Sequence, residues 1–421
     1  MYQRLTLPNG IRVFVAEIRH VRSVSVAFYF GVGARYEDDA IAGASHFIEH
    51  MLFKGTERYP TAQAISEAIE GVGGALDAAT DKEVTVFSAK VASHHFELAM
   101  DVITDMIRRP LMSAEEVEKE RGVIIEELNM YRDSPADWVN VLADEAMWPG
   151  LALGREVAGS RETVESLTRE NLLDYKAHYY TPSNLVISVA GDVSQDRALE
   201  VITERLGDWP DAHAPLWRPC PIPAGAPRVR LETRPTEQTN ICLLTPGIGH
   251  RDQRHYALTL LNAALGDGMS SRLFVEIRER LGLAYDIGSA PSYYHDTGAF
   301  AISAGVEPRR AAPTVAAVTR ELRRLRDEPL GPQELTRAKE YTKGRMALRL
   351  EDTATVAAWM GGQEIVTGEP LDLDEVMARL DRVTSEEIQA LARDLFREEA
   401  LRLAVIGPQK GLAEFERALT M

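Results

Sequence analysis

The chain has 421 residues, 45% of them hydrophobic, and carries a formal net charge of −17. That length supports two or more packed domains rather than one. The acidic balance argues against nucleic acid as a partner, whose phosphates need a basic surface, and reads as general surface acidity that keeps the chain soluble.

In chain order, the opening Met1-Tyr2-Gln3-Arg4-Leu5 has no apolar signal core, and no run of eighteen apolar residues follows anywhere. Neither export nor a membrane span is expected, and the cytoplasm is the expected location. The alternating apolar segment from Val24 to Phe30, ending in Gly31-Val32-Gly33, reads as a strand entering a glycine turn. No G-x-G-x-x-G or G-K-S/T follows, so the turn is not a phosphate loop. Ala44 to Phe53 has the period of an amphipathic helix. Ile65 to Gly74 reads as a helix feeding a strand pair through Ala75 to Lys90. Two long helices come next, Ala92 to Ile107 and Ala114 to Tyr131, with His94 and His95 expected to be exposed. The apolar strand Leu185 to Ala190 closes this half.

Between Gly207 and Arg228 six prolines interrupt a stretch with no hydrophobic period, and residues 209–227 are assigned as a linker. Cys220 lies there and Cys242 beyond it, outside any C-x-x-C or Cys/His cluster, so neither a disulfide nor a thiolate metal site is supported. The pattern then repeats in order. Thr239 to Gly249 parallels the first strand and glycine turn, Leu273 to Gly282 a helix, and Ala284 to Ala304 a strand pair. The helices Ala311 to Leu325 and Gln333 to Leu350 follow, and Leu401 to Ile406 is the closing strand. Hairpin-like strand pairs alternating with consecutive helices favour α+β over a doubly wound parallel sheet. The expected architecture is one α+β domain, duplicated: residues 1–208, the linker 209–227, and residues 228–421.

Chemistry concentrates in His46-Phe47-Ile48-Glu49-His50. On a helix His46 and His50, four apart, leave the same face and can share one cation. Glu49 can reach a water in the fourth zinc position while staying out of the ligand set, the order H-x-x-E-H. Two histidines and a glutamate also suit a solvated helix face, so a third ligand decides. In the helix 115–131, Glu120 and Glu127 are seven apart and share a face, whereas Glu126 points about 100° from Glu127. Glu127 is assigned as ligand and Glu120 as the residue that orients a ligating histidine. Glu115, Glu116 and Glu118 fit a solvated face. His250 and His255 are five apart with no glutamate between them, so the second half is expected to hold no metal.

These residues resemble the pitrilysin-type, or M16, family of inverted-zincin metallopeptidases. The family's H-x-x-E-H helix followed by a hydrophobic pair and K-G-T is similar to His46 to Thr56, and its distal glutamate context to Val123 to Glu127. The segment Gly73 to Glu83 resembles its two glycines and N-A-x-T, with Asp77 where asparagine is expected. Arg278 to Tyr285 resembles its arginine-tyrosine segment. The resemblance covers nearly the whole chain and implies a duplicated fold like that of the mitochondrial processing peptidase, with one Zn2+ per chain held by His46, His50 and Glu127. It implies a zinc endopeptidase with Glu49 as general base, Arg278 and Tyr285 reaching the scissile region, and peptide substrates added as a strand along Ala75 to Thr80, touching Asp77 and Ala78. Chains of this length in the family resemble half of the longer single-chain enzymes, so a homodimer is expected. An inert scaffold or partner subunit of the same fold is the alternative.

Overall fold

The computed structural model describes residues 2–212, 216–223 and 227–421; Pro215, one of the six linker prolines, lies outside the described residues. The first sheet contains β1 (Gln3–Thr6), β2 (Arg12–Glu17), β3 (Ser23–Phe30), β4 (Ala75–Thr80), β5 (Thr85–Ala92) and β6 (Leu185–Gly191), in the order β1-β2-β6-β3-β5-β4. The second contains β7 (Val229–Thr233), β8 (Thr239–Pro246), β9 (Ala284–Tyr293), β10 (Gly298–Val306) and β11 (Arg402–Gly407), in the order β7-β11-β8-β10-β9. Apart from the extra hairpin strand β1, the two sheets match strand for strand. β2 is parallel to β6 as β7 is to β11, and every other neighbouring pair is antiparallel. The α+β duplication is therefore a property of the topology.

The helices are α1 (Ala44–Leu52), α2 (Ala62–Glu70), α3 (Phe96–Arg108), α4 (Ala114–Asp133), α5 (Pro135–Met147), α6 (Arg161–Ser166), α7 (Arg169–Tyr179), α8 (Gln195–Leu206), α9 (His255–Leu265), α10 (Ala311–Asp327), α11 (Pro332–Arg349), α12 (Thr353–Thr367), α13 (Leu373–Arg382), α14 (Ser385–Leu395) and α15 (Ala413–Ala418). The segment Phe274–Arg280, expected as ordinary helix, is a π-helix, with Leu281 N bonded to Glu276 O at 3.0 Å. No helix is long and apolar enough to cross a membrane among the described residues.

Packing divides the chain otherwise than its linear order does. One compact unit takes residues within Met1–Asn129, Glu156–Arg218 and Leu348–Asp372; the other takes Met130–Arg155, Pro219–Ala347 and Leu373–Met421. The division at 209–227 thus describes the chain, while the packing exchanges one helix between halves. β3 is buried along nearly its whole length because both its faces are covered, which is why it reads as an almost continuous apolar run. Val24, Val26, Phe28 and Phe30 face a core shared with Phe47, Met51, Ile103 and Ile202, while Ala27 and Tyr29 face Ala357 and Met360 of α12. Gly361 makes that approach possible, since a Cβ there would lie 2.6 Å from the Tyr29 ring. In the second unit Val139, Ala143 and Met147 of α5 pack on Cys242, Leu244, Ala404 and Ile406. Local signals start and stop α12: Asp352 caps it by accepting from Ala354 N and Thr355 N, and Gly368 ends it at φ 71°.

Candidate metal centre

α1 splits into two faces. Phe47, Ile48, Met51 and Leu52 are buried in the core of the first unit, which leaves His46, Glu49 and His50 on the opposite side. The rings of His46 and His50 lie 4.5 Å apart. On α4 only Val117, Glu120 and Ile124 are buried; Glu127, one turn past Ile124, is partly exposed and Glu126 is exposed. This places Glu127 over the histidine pair. Its Oε2 lies 3.7 Å from His46 Nε2 and 3.5 Å from His50 Nε2.

Those separations are too long for hydrogen bonds. Ligands at zinc-like bond lengths and tetrahedral angles stand roughly 3.4 Å from one another, so the separation of Glu127 Oε2 from each histidine nitrogen is close to that of two ligands on one ion. His46, His50 and Glu127 are the one group of three or more potential metal ligands among the described residues, with ligand atoms all within 4.8 Å. The donor set of two imidazoles and a carboxylate fits zinc and leaves a fourth position open.

Behind the ligands, His50 Nδ1 donates to Glu120 Oε1 at 2.8 Å, which fixes the tautomer with the Nε2 lone pair facing Glu127. Glu120 is buried, and its other oxygen receives Lys54 Nζ at 2.6 Å. His46 Nδ1, by contrast, is buried with no hydrogen-bond partner among the described residues. Charge sorts the two histidines accordingly. Burial, aided by the neighbouring His50, pushes His46 down to about 4, so it is neutral with a free lone pair. Burial acts to lower His50 as well, but the hydrogen bond and charge of Glu120, with Glu127 and Glu49, outweigh it and raise it. The site thus attracts a positive charge where a metal would sit.

Glu49 stands beside this group without belonging to it. Burial raises its affinity for a proton, against the opposing effect of the Thr80 hydroxyl, which donates to Glu49 Oε2 at 2.6 Å. Thr80 ends β4, the edge strand of its sheet. Lys54 and Thr80 fall within the K-G-T and N-A-x-T segments of the sequence pattern, which gave neither a role at the site. Along β4, residues alternate between faces, which sets Asp77 opposite in sense to Ala78 and Thr80. Asp77 Oδ1 accepts from Ala78 N at 2.9 Å, so its carboxylate is turned onto its own strand. His94 is exposed and His95 half-buried.

Arg278 and Tyr285 belong to the second unit. The guanidinium stacks between the rings of Phe274 and Tyr285, at 4.6 and 4.9 Å, and Tyr285 is 79% exposed. Both line a cavity of about 410 Å³ with Gln238, Glu307 and Arg310. Cys220 and Cys242 are free and buried.

Comparison with known proteins gives these features a context. Residues 12–161 match the family described as insulinase (peptidase family M16), and residues 166–341 match the peptidase M16 inactive domain. An uncharacterized zinc protease of Streptomyces coelicolor is 38% identical over 97% of this chain and 90% of its own length. Another, from Bacillus subtilis, is 35% identical over 97% and 98%. Among solved structures, a protease from Helicobacter pylori superposes with a TM-score of 0.90 at 19% identity, covering 97% of this chain and 99% of that one.

Proposed function

This chain belongs to the M16 peptidase family, and from that premise we propose that it is a zinc-dependent endopeptidase acting on unfolded peptides and small polypeptides. The observation that carries the reading is the convergence of His46, His50 and Glu127 on one point, with the half-buried carboxylate of Glu49 beside them and outside the ligand set. A zinc ion held by His46, His50 and Glu127 would supply Lewis acidity for activating water and a carbonyl. Glu49, its proton affinity raised by burial, accepts the proton of the attacking water and returns it to the leaving amine. Thr80 holds the Glu49 carboxylate in place by its hydrogen bond. The substrate backbone pairs with the β4 edge, which gives affinity with little sequence demand and restricts the enzyme to flexible chains. Arg278 binds a substrate carbonyl and the exposed Tyr285 hydroxyl stabilises the developing oxyanion.

The test is a mixed peptide library incubated with the protein, with and without a chelator, its products read by mass spectrometry. Internal cleavage that stops with chelator and returns with zinc is expected; cleavage indifferent to chelator sinks the reading. A non-catalytic partner subunit is the second reading, favoured by the match of residues 166–341 to a domain described as inactive. Protein purified without stoichiometric zinc and unable to take it up would select it.

The proposal extends to a homodimer in which Arg278 and Tyr285 of one chain serve the Glu49 site of the other. Glu49→Gln and Arg278→Ala proteins, each nearly inactive, are mixed under conditions of subunit exchange. Random pairing gives half mixed dimers, each with one intact site, and recovery to about a quarter of wild-type activity. No recovery despite demonstrated exchange would place the whole site within one chain.

A further inference from the structure

Arg35 is fully buried and lies outside the candidate metal ligands His46, His50 and Glu127. It lies in the connection between β3 and α1, and its three guanidinium nitrogens are all engaged. Nη1 donates to Glu83 Oε1 at 2.5 Å, while Nε and Nη2 both donate to the carbonyl of Arg218, at 2.9 and 2.7 Å. The indole of Trp217 covers the guanidinium at 4.7 Å. Trp217 and Arg218 are the last residues of the segment that follows α8 within the first unit, and Arg218 also pairs with Asp38.

Two short covalent paths lead from this cluster to the metal centre, one through Glu83 and one from Arg35 itself. Glu83 sits in the turn after β4, three residues from Thr80, whose hydroxyl holds Glu49. Two residues beyond Arg35, the buried carboxylate of Glu37 accepts from Gly43 N and Ser45 N, both at 2.7 Å, at the start of α1. An anionic cap there satisfies orphan amides and complements the helix dipole. The β3–α1 connection and the β4–β5 turn are also laced by Ala34 N to Asp81 O at 3.2 Å and Arg35 N to Lys82 O at 2.7 Å. Contact is so close that a Cβ on Gly33 would lie 2.0 Å from Asp81 O.

We infer that Arg35 is a positioning residue: it clamps the β4–β5 turn and the chain at 217–218 to the connection that caps α1, and so sets the register between Glu49 on α1 and Thr80 on β4. The inference rests on the peptidase reading for its effect on turnover, but not for its effect on α1. Lysine cannot replace the arginine, because only the planar fork reaches a carboxylate and a carbonyl on opposite sides at once. A stabilising role alone would leave the activity of folded, zinc-loaded molecules untouched. A positioning role lowers kcat, because displacement of a reacting group by about 1 Å costs on the order of 100-fold.

The decisive variant replaces both buried charges, Arg35→Met with Glu83→Leu, since exchanging a buried pair for apolar residues of similar volume commonly preserves the fold. The prediction has three parts, all measured well below the melting temperature. Zinc stays at one per chain, kcat falls about 10- to 100-fold, and hydrogen exchange of the Gly43 to Phe47 amides quickens about tenfold while that of β3 and β6 does not. Trp217→Ala, at a partly exposed position, provides the milder version with the same signature and a kcat loss of roughly three- to tenfold. Variants with wild-type kcat per zinc and unchanged exchange in α1 overturn the inference. Quickened exchange in α1 with a wild type that never cleaves peptide upholds the clamp and overturns the peptidase reading instead.

Discussion

The two units build the same five-strand topology, yet the helix that follows the equivalent central strand serves a different end in each. After β3, α1 buries one face and presents His46, Glu49 and His50 on the other. After β8, α9 buries Ala257, Leu258, Leu260, Leu261, Ala263, Ala264 and Leu265, seven of its eleven residues. Four residues beyond His255, where α1 has a second histidine, stands Thr259, whose hydroxyl donates back to the His255 carbonyl at 3.0 Å. The long helices diverge as well. α4 directs Glu120 and Glu127 to the histidines, while α11 uses Lys339 and Lys343 to hold Asp381, at 2.8 Å each. The fold supplies a place for chemistry twice, and side-chain identity on two helices decides which copy can hold a metal.

The sharpest way to break this comparison is to remove the proton acceptor. Glu49→Gln should lower kcat by about 1,000-fold and leave zinc at one per chain, because the isosteric amide cannot take a proton. Loss of zinc along with activity would falsify its place outside the ligand set. Next in size, Glu127→Gln should weaken zinc binding by more than about 100-fold in chelator competition, while the exposed Glu126→Gln changes nothing; the reverse outcome would move the ligand by one residue. Glu120→Gln should cost about 10- to 100-fold in zinc affinity or turnover through the loss of control over His50, with a smaller effect expected from Lys54→Met.

The smallest effect belongs to the second unit. Burial, then the nearby His250, pushes His255 from its ordinary 6.5 down to about 4. The unfolded chain therefore takes up a proton below about pH 6.5 that the folded one refuses until about pH 4, and this contribution to stability is lost as pH falls through that window. His255→Phe should leave zinc binding untouched and flatten the dependence of the denaturation midpoint on pH between about 6.5 and 4 by close to one proton. A variant with lowered zinc content would show that the two units are not divided as drawn.

Much of this molecule was legible without coordinates because its signals are local. The 3.6-residue period put His46 and His50 on one face, seven-residue spacing put Glu120 and Glu127 on another, and the alternating strands with their order of repetition indicated a duplicated α+β fold. The first two depend on residues within two turns of each other, and the third on the order of such local elements along the chain. What tertiary structure alone decided lies between residues far apart in the chain. Nothing in the sequence of α5 or α12 marks which sheet it covers, and only packing shows that each covers the sheet of the other half. Phe274–Arg280 has ordinary helical composition, and only its hydrogen bonding, with Leu281 N to Glu276 O, shows the π geometry. Thr80 finds Glu49 across 31 residues, Lys54 finds Glu120 across 66, and Arg35 finds the Arg218 carbonyl across 183. Such contacts leave no periodic trace, because a hydrogen bond between distant segments constrains one residue at each end and nothing between them.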